Sequence, residues 1–203
     1  MKILAVSDFI DPMFSELGRG SPFSDVELIL SCGDLPPEHL RLLAEAFGVP
    51  LYYVRGNHDR RLGLTVAGDG SSVHAKLVQF RGVSILGLEG SAWYNGGPYQ
   101  YTESQMRGFI RRVRPALRRN GRLDVVVAHA APRDLGDAPD PCHRGFRAFR
   151  KLIERYRPRY FLHGHVHRRF DDPSERVLRF GDTQVVNCSG FHLLELEEDA
   201  SGG

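Results

Sequence analysis

VELILSCGD, residues 26–34, is apolar for the length of a β-strand and then breaks on Gly33 and Asp34. The same break recurs elsewhere: LAVSD ends on Asp8, LYYVRGNHD on Asn57, His58 and Asp59, DVVVAH on His129, and YFLHGHVH on His165 and His167. Short Val/Ile/Leu-rich runs read as strands buried on both faces. In open α/β sheets such strands bring their carboxyl ends to one rim, where loops hold ligands. Polar groups far apart in the chain are therefore expected to meet in one crevice. All these segments offer oxygen or imidazole donors, which suit Mn, Fe, Zn or Mg. Cys32 is the one thiol among them, which argues against a thiolate zinc site.

Working outward, KILAVS is a strand, residues 11–25 form a Gly/Ser/Pro-rich connection, and VELILS is the second strand. PPEHLRLLAEAFG then places Leu40, Leu43, Ala44 and Phe47 at helical spacing, with Gly48 as the stop. VHAKLVQF and VSILGLE, separated by Arg81-Gly82, predict a hairpin that either starts a second sheet or extends the first. Thr102 and Gln105 form a capping-box pattern ahead of a stripe of Met106, Phe109, Ile110, Val113 and Leu117, and Pro115 is expected to kink that helix or end it early. After LDVVVAH and a loop over residues 130–144, Phe146, Phe149, Leu152, Ile153 and Tyr156 mark another amphipathic helix. The chain closes with short strands in RYFLHG, VLRF, QVVNC and FHLLELE, and residues 198–203 read as a frayed tail.

With 203 residues the expectation is a single domain over 1–203. A net charge of +2 does not demand nucleic acid, and the basic runs at 107–122 and 144–159 read as solvated helix faces; nucleic acid is a disfavoured partner. The three cysteines have no paired spacing, the chain opens directly with a strand, and no apolar run approaches the ~20 residues that span a bilayer. A cytoplasmic location without membrane attachment is expected.

Two divalent ions about 3.5 to 4 Å apart need a bridging oxygen and several separate carboxylate or imidazole ligands. Asp34 is the best bridge, because Gly33 lets the backbone turn sharply. Asp8 would serve one ion, Asn57 offers a neutral amide oxygen, His165 and His167 can each reach a different ion, and His129 completes the second.

Asp8, the pair Gly33-Asp34, the run Gly56-Asn57-His58-Asp59, His129 and the run Gly164-His165-Val166-His167 together resemble the calcineurin-like metallophosphoesterases. YNGGPYQYTE (94–103) and DPCHRGFRAF (140–149) resemble the small single-domain branch of that family related to the metallophosphoesterase-domain proteins. The resemblance implies a four-layer α/β/β/α sandwich of two mixed β-sheets flanked by helices. It also implies that Asp8, Asp34 and His167 serve one ion, and Asp34, Asn57, His129 and His165 the other. The family continues its first motif as Asp-x-His, yet position 10 is Ile10. That departure removes a nitrogen ligand; simple loss is favoured over rescue by Asp11, because residues 8 and 11 converge only in a bent loop.

The expected activity is hydrolysis of a nucleotide or other small phosphoester, as a phosphodiesterase, by a hydroxide generated on one or two divalent ions, manganese being favoured. His58 is the choice for contacting the phosphoryl oxygen or protonating the leaving group, with Asp59 orienting its ring. The alternative is a phosphoester-binding or regulatory protein of low activity, motivated by Ile10. Among other residues, His143 either lines the substrate pocket or structures its loop. Trp93, Tyr94 and Tyr99 either stack on a base or, as favoured, pack beneath their loop.

Overall fold

Along Lys2–Ser7 the side chains alternate between two different cores, Ile3 and Ala5 facing one, Leu4 and Val6 the other. A strand with apolar residues on both faces must be covered on both faces, and this dictates the layering. The computed structural model describes residues 1–16, 22–59, 70–168, 170 and 172–196. The expected tail at 198–203 lies outside the described residues. In chain order the elements are β1 (Lys2–Ser7), β2 (Val26–Ser31), α1 (Pro37–Phe47), β3 (Leu51–Tyr53), β4 (Gly70–Ser72), β5 (Leu77–Phe80), β6 (Val83–Leu88), β7 (Ser91–Ala92) and β8 (Gln100–Tyr101). There follow α2 (Glu103–Asn120), β9 (Val125–Ala128), α3 (Arg147–Tyr156), β10 (Tyr160–His163), β11 (Val177–Phe180), β12 (Thr183–Asn187) and β13 (Gly190–Glu195).

Two mixed sheets result, in the orders β13-β1-β2-β3-β4 and β11-β12-β10-β9-β6-β5, with β7 and β8 forming a small ribbon. Within the first, β1 to β4 are parallel and β13 runs against β1; in the second, β12, β10, β9 and β6 are parallel with antiparallel edges. Ile3, Leu28, Ile85, Val127 and Leu162 fill the space between the sheets. Leu40 and Leu43 of α1 cover the outer face of the first over Leu4 and Leu51. Met106 and Ile110 of α2, with Phe149 and Leu152 of α3, cover the second over Leu86, Val126 and Phe161. The expected four layers are present. Burying a side chain such as Phe161, 0% exposed, contributes roughly 1.5–3 kcal/mol.

Thr102 accepts from the backbone nitrogen of Gln105, completing the capping box, and Gly48 ends α1 in a left-handed conformation. The hairpin starts the second sheet: Arg81 and Gly82 both have positive φ, the geometry of a two-residue turn that matches strand twist. Pro115 does not end α2 early, since the helix runs to Asn120. Pro115 and Arg111 both lie on the exposed face, where water can satisfy the carbonyl that the proline cannot serve. Among the described residues no helix is long and apolar enough to cross a membrane.

Candidate metal centre

The parallel strands β1, β2 and β3 of one sheet and β9 and β10 of the other end on a common rim, and the polar residues follow them directly. Asp8, Asp34 and His165 all have positive φ, at 68°, 57° and 66°, so each strand turns off sharply and its side chain is swung into the crevice. The crossings are tight. A Cβ on Gly56 would lie 2.6 Å from His129 Cε1, and one on Gly33, whose φ is 99°, would lie 2.9 Å from Gly56 Cα.

Donor atoms of Asp34, His129 and His165 lie within 4.8 Å of one another. His129, 0% exposed, donates Nδ1–H to the Cys32 carbonyl at 2.8 Å. Its Nε2 is 3.0 Å from Asn57 Oδ1 and 3.2 Å from Asp34 Oδ2. Asp34 Oδ1 accepts from the His58 backbone at 2.9 Å, whereas the buried Oδ2 receives no aligned hydrogen bond. His165 donates Nε2–H to the Cys142 carbonyl at 2.8 Å, which leaves its Nδ1 lone pair free. Each of these side chains thus has one polar atom satisfied by protein and another left for a shared centre. Two oxygens facing one imidazole nitrogen repel unless a positive charge stands among them. A divalent cation supplies that charge, and so does a proton on His129. Burial opposes charge on His129, but the Asp34 carboxylate outweighs it and lifts the ring to about 9. Burial and the neighbouring His129 hold His165 down at about 3, neutral as a ligand must be.

Asp8 and His167 adjoin this group, the Asp8 carboxylate accepting from the His165 backbone nitrogen at 2.9 Å. Burial pushes the Asp8 carboxyl up, but a hydrogen bond from His167 and the charge of His129 leave it below the ordinary value. His167, more exposed, approaches Asp8 Oδ1 to 3.4 Å. Ile10 is 50% exposed, and Asp11 turns Oδ1 to the Met13 backbone at 3.0 Å, as a cap on the short helix Pro12–Glu16. That use of Asp11 favours plain loss of the nitrogen at position 10 over rescue.

His58 is exposed beside Asp34 and borders a cavity of about 430 Å³ also lined by Leu35, Tyr53 and Arg55. Asp59, expected to accept from the His58 ring, instead accepts from the backbone nitrogens of Gly56 at 2.8 Å and Asp34 at 3.1 Å. Those amides belong to the two tight turns and have no strand partner, so the carboxylate organises the loop. Burial raises the Asp59 carboxyl, partly offset by these amides. Trp93, expected to pack, is 58% exposed over Gly96, while Tyr99 packs on Arg55 at 5.6 Å. Tyr94 accepts from Asn57 Nδ2 at 3.1 Å. His143 donates Nδ1–H to Asp140 at 3.0 Å and sets its ring 5.0 Å from that of His165, so it structures its loop and faces the centre as well. The sequence held one signal for Tyr94 and His143: both stand in the segments that carry the narrower resemblance.

The 3',5'-cyclic adenosine monophosphate phosphodiesterase CpdA of Pseudomonas aeruginosa is 28% identical over 191 residues, covering 87% of this chain and 68% of that protein. Among solved structures, TT1561 of Thermus thermophilus has a TM-score of 0.64 at 19% identity, covering 93% of this chain and 88% of that one. Vps29 of Entamoeba histolytica, solved in complex with Zn+2, has a TM-score of 0.50 at 13% identity, covering 98% of this chain and 88% of that one. At such identities the two structures speak for the fold alone. The family model described as calcineurin-like phosphoesterase matches residues 1–169, and the chain belongs to that family.

Proposed function

We propose that this protein is a metal-dependent phosphodiesterase acting on a nucleotide or other small phosphoester. The observation that carries the proposal is the clustering of Asp34, His129 and His165, with donor atoms within 4.8 Å of one another and with Asp34 Oδ2 buried 3.2 Å from His129 Nε2 and held by no aligned hydrogen bond. Asp34, Asn57, His129 and His165 would hold one ion; Asp8, Asp34 and His167 would hold a second, more weakly because of Ile10. Mixed oxygen and imidazole donors suit manganese, iron or zinc, and manganese is the ion favoured here. When bound, a divalent ion supplies Lewis acidity, polarising water towards hydroxide and offsetting charge on the phosphoryl oxygens. The chain's own contribution is to position and to protonate. His58, exposed at the rim, would meet the leaving oxygen, and its backbone nitrogen anchors Asp34. Asp59 keeps the loop that carries both Asn57 and His58 in shape. The likeness to CpdA supports a nucleotide phosphodiester as the substrate class.

Hydrolysis of a bis(aryl) phosphate and of 3',5'-cyclic AMP with added Mn tests the proposal. His58→Ala is expected to cost about 10²- to 10⁴-fold in turnover while leaving stability within ~0.5 kcal/mol, because the side chain is exposed. Metal-loaded protein that binds nucleotide without hydrolysing it would support the second reading, a low-activity phosphoester-binding protein, which the replacement of a ligand by Ile10 favours.

A further inference from the structure

An asparagine amide is a two-faced ligand: its oxygen can bind a cation, and its NH2 cannot. Asn57 is 3% exposed, so water is not at hand to choose between the two orientations. Its Oδ1 lies 3.0 Å from His129 Nε2, and its Nδ2 donates to the Tyr94 hydroxyl at 3.1 Å. Turned by 180°, the amide would present two N–H groups to the centre, and it would keep its bond to Tyr94 only if the phenol, which both donates and accepts, turned its own O–H to the amide oxygen.

The loop carrying Tyr94 is built to hold it. Gln100, 6% exposed, accepts through Oε1 from the backbone nitrogens of Tyr94 at 3.2 Å, Asn95 at 3.1 Å and Gly96 at 3.1 Å. Its Nε2 donates to Asn95 Oδ1 at 2.6 Å. The β7-β8 pairing closes the loop behind it, Ser91 opposite Gln100 and Ala92 opposite Tyr101. At its base, Gly90 donates to the Arg55 carbonyl at 2.8 Å, two residues before Asn57. The loop therefore grips the Asn57 segment twice, once through backbone and once through the phenol.

We propose that Tyr94 is a positioning residue for the metal centre, its hydroxyl tethering the Asn57 side chain beside His129 and thereby setting the affinity for a divalent cation. The inference rests on the proposed metal centre and goes beyond it by assigning a residue that touches neither ion nor substrate. Partners that orient a metal ligand typically govern 10- to 100-fold in affinity.

The test is calorimetric titration of the metal-free full chain with Mn(II), comparing wild type, Tyr94→Phe, Gln100→Ala and Asn57→Ala. Tyr94→Phe keeps the ring and is expected to weaken binding about 10- to 100-fold with the melting temperature of the metal-free protein unchanged. Gln100→Ala, which frees the loop, is expected to shift affinity in the same direction. Unchanged affinity in Tyr94→Phe, with affinity lost in Asn57→Ala, overturns the positioning role and spares the centre. Equal affinity in wild type and Asn57→Ala overturns the centre itself, and the positioning role with it.

Discussion

The backbone nitrogen of His165 donates to both carboxylate oxygens of Asp8, at 2.9 and 3.1 Å, tying the end of β10 in one sheet to the end of β1 in the other. A charge-assisted bond buried at a sheet junction bears on stability as well as on ligand placement.

Asp8→Ala leaves that amide without its partner and is expected to lower the stability of the metal-free protein by about 1–3 kcal/mol at neutral pH. The sign of the pH dependence follows from the depressed Asp8 carboxyl. A carboxylate whose folded value lies below its unfolded value stabilises fully above the unfolded value and loses that contribution as pH falls through the folded one. Urea midpoints should therefore separate wild type from variant above about pH 4 and converge in stronger acid.

Because His129 keeps a proton up to about 9, a cation entering between His129, Asn57 and Asp34 must displace it. Uptake of Mn(II) at neutral pH is expected to release about one proton per ion, with affinity rising towards pH 9. Titration calorimetry in two buffers of different ionisation enthalpy reads that number. Equal heats in both would rule the displacement out.

At Gly56 even one methyl group is too large, since it would press on Asp34 and the His129 ring. Gly56→Ala is expected to cost about 1–3 kcal/mol of stability by overpacking and to abolish Mn(II) binding. The unfolding midpoint and the metal content of the purified variant check both halves.

Ile10→His puts a nitrogen where the family's first motif carries one. Half-exposed Ile10 contributes little to the core, so the exchange should leave stability within ~0.5 kcal/mol and raise metal content towards two ions per chain. Native mass spectrometry counts them, and an unchanged count would refute the weak first site.

The strand ends were legible because each is a local event: an apolar run, a glycine or turn residue, then a polar group. Asp34, Asn57, His129 and His165 could be read from such runs, and the structure brings them together. What holds them was not legible. His129 and His165 are fixed by the carbonyls of Cys32 and Cys142, and a carbonyl carries no trace of residue identity. The hydroxyl of Tyr94 reaches Asn57 across 37 positions through a loop whose shape depends on Gln100. Asp59 misled because adjacency to His58 suggested a pair, whereas the orphaned amides of two turns made the stronger demand. The early end expected at Pro115 does not occur: α2 runs on to Asn120, with the Arg111 carbonyl on the exposed face, where water can satisfy it.

At positions 8, 34 and 165 the main chain adopts a conformation that most side chains resist and that asparagine, aspartate and histidine tolerate best after glycine. Those tolerant residues are also the ones with lone pairs to offer a cation. Mutation at these positions therefore samples a narrow repertoire set first by sterics, so that halting a strand abruptly already recruits the donor chemistry on which the centre depends.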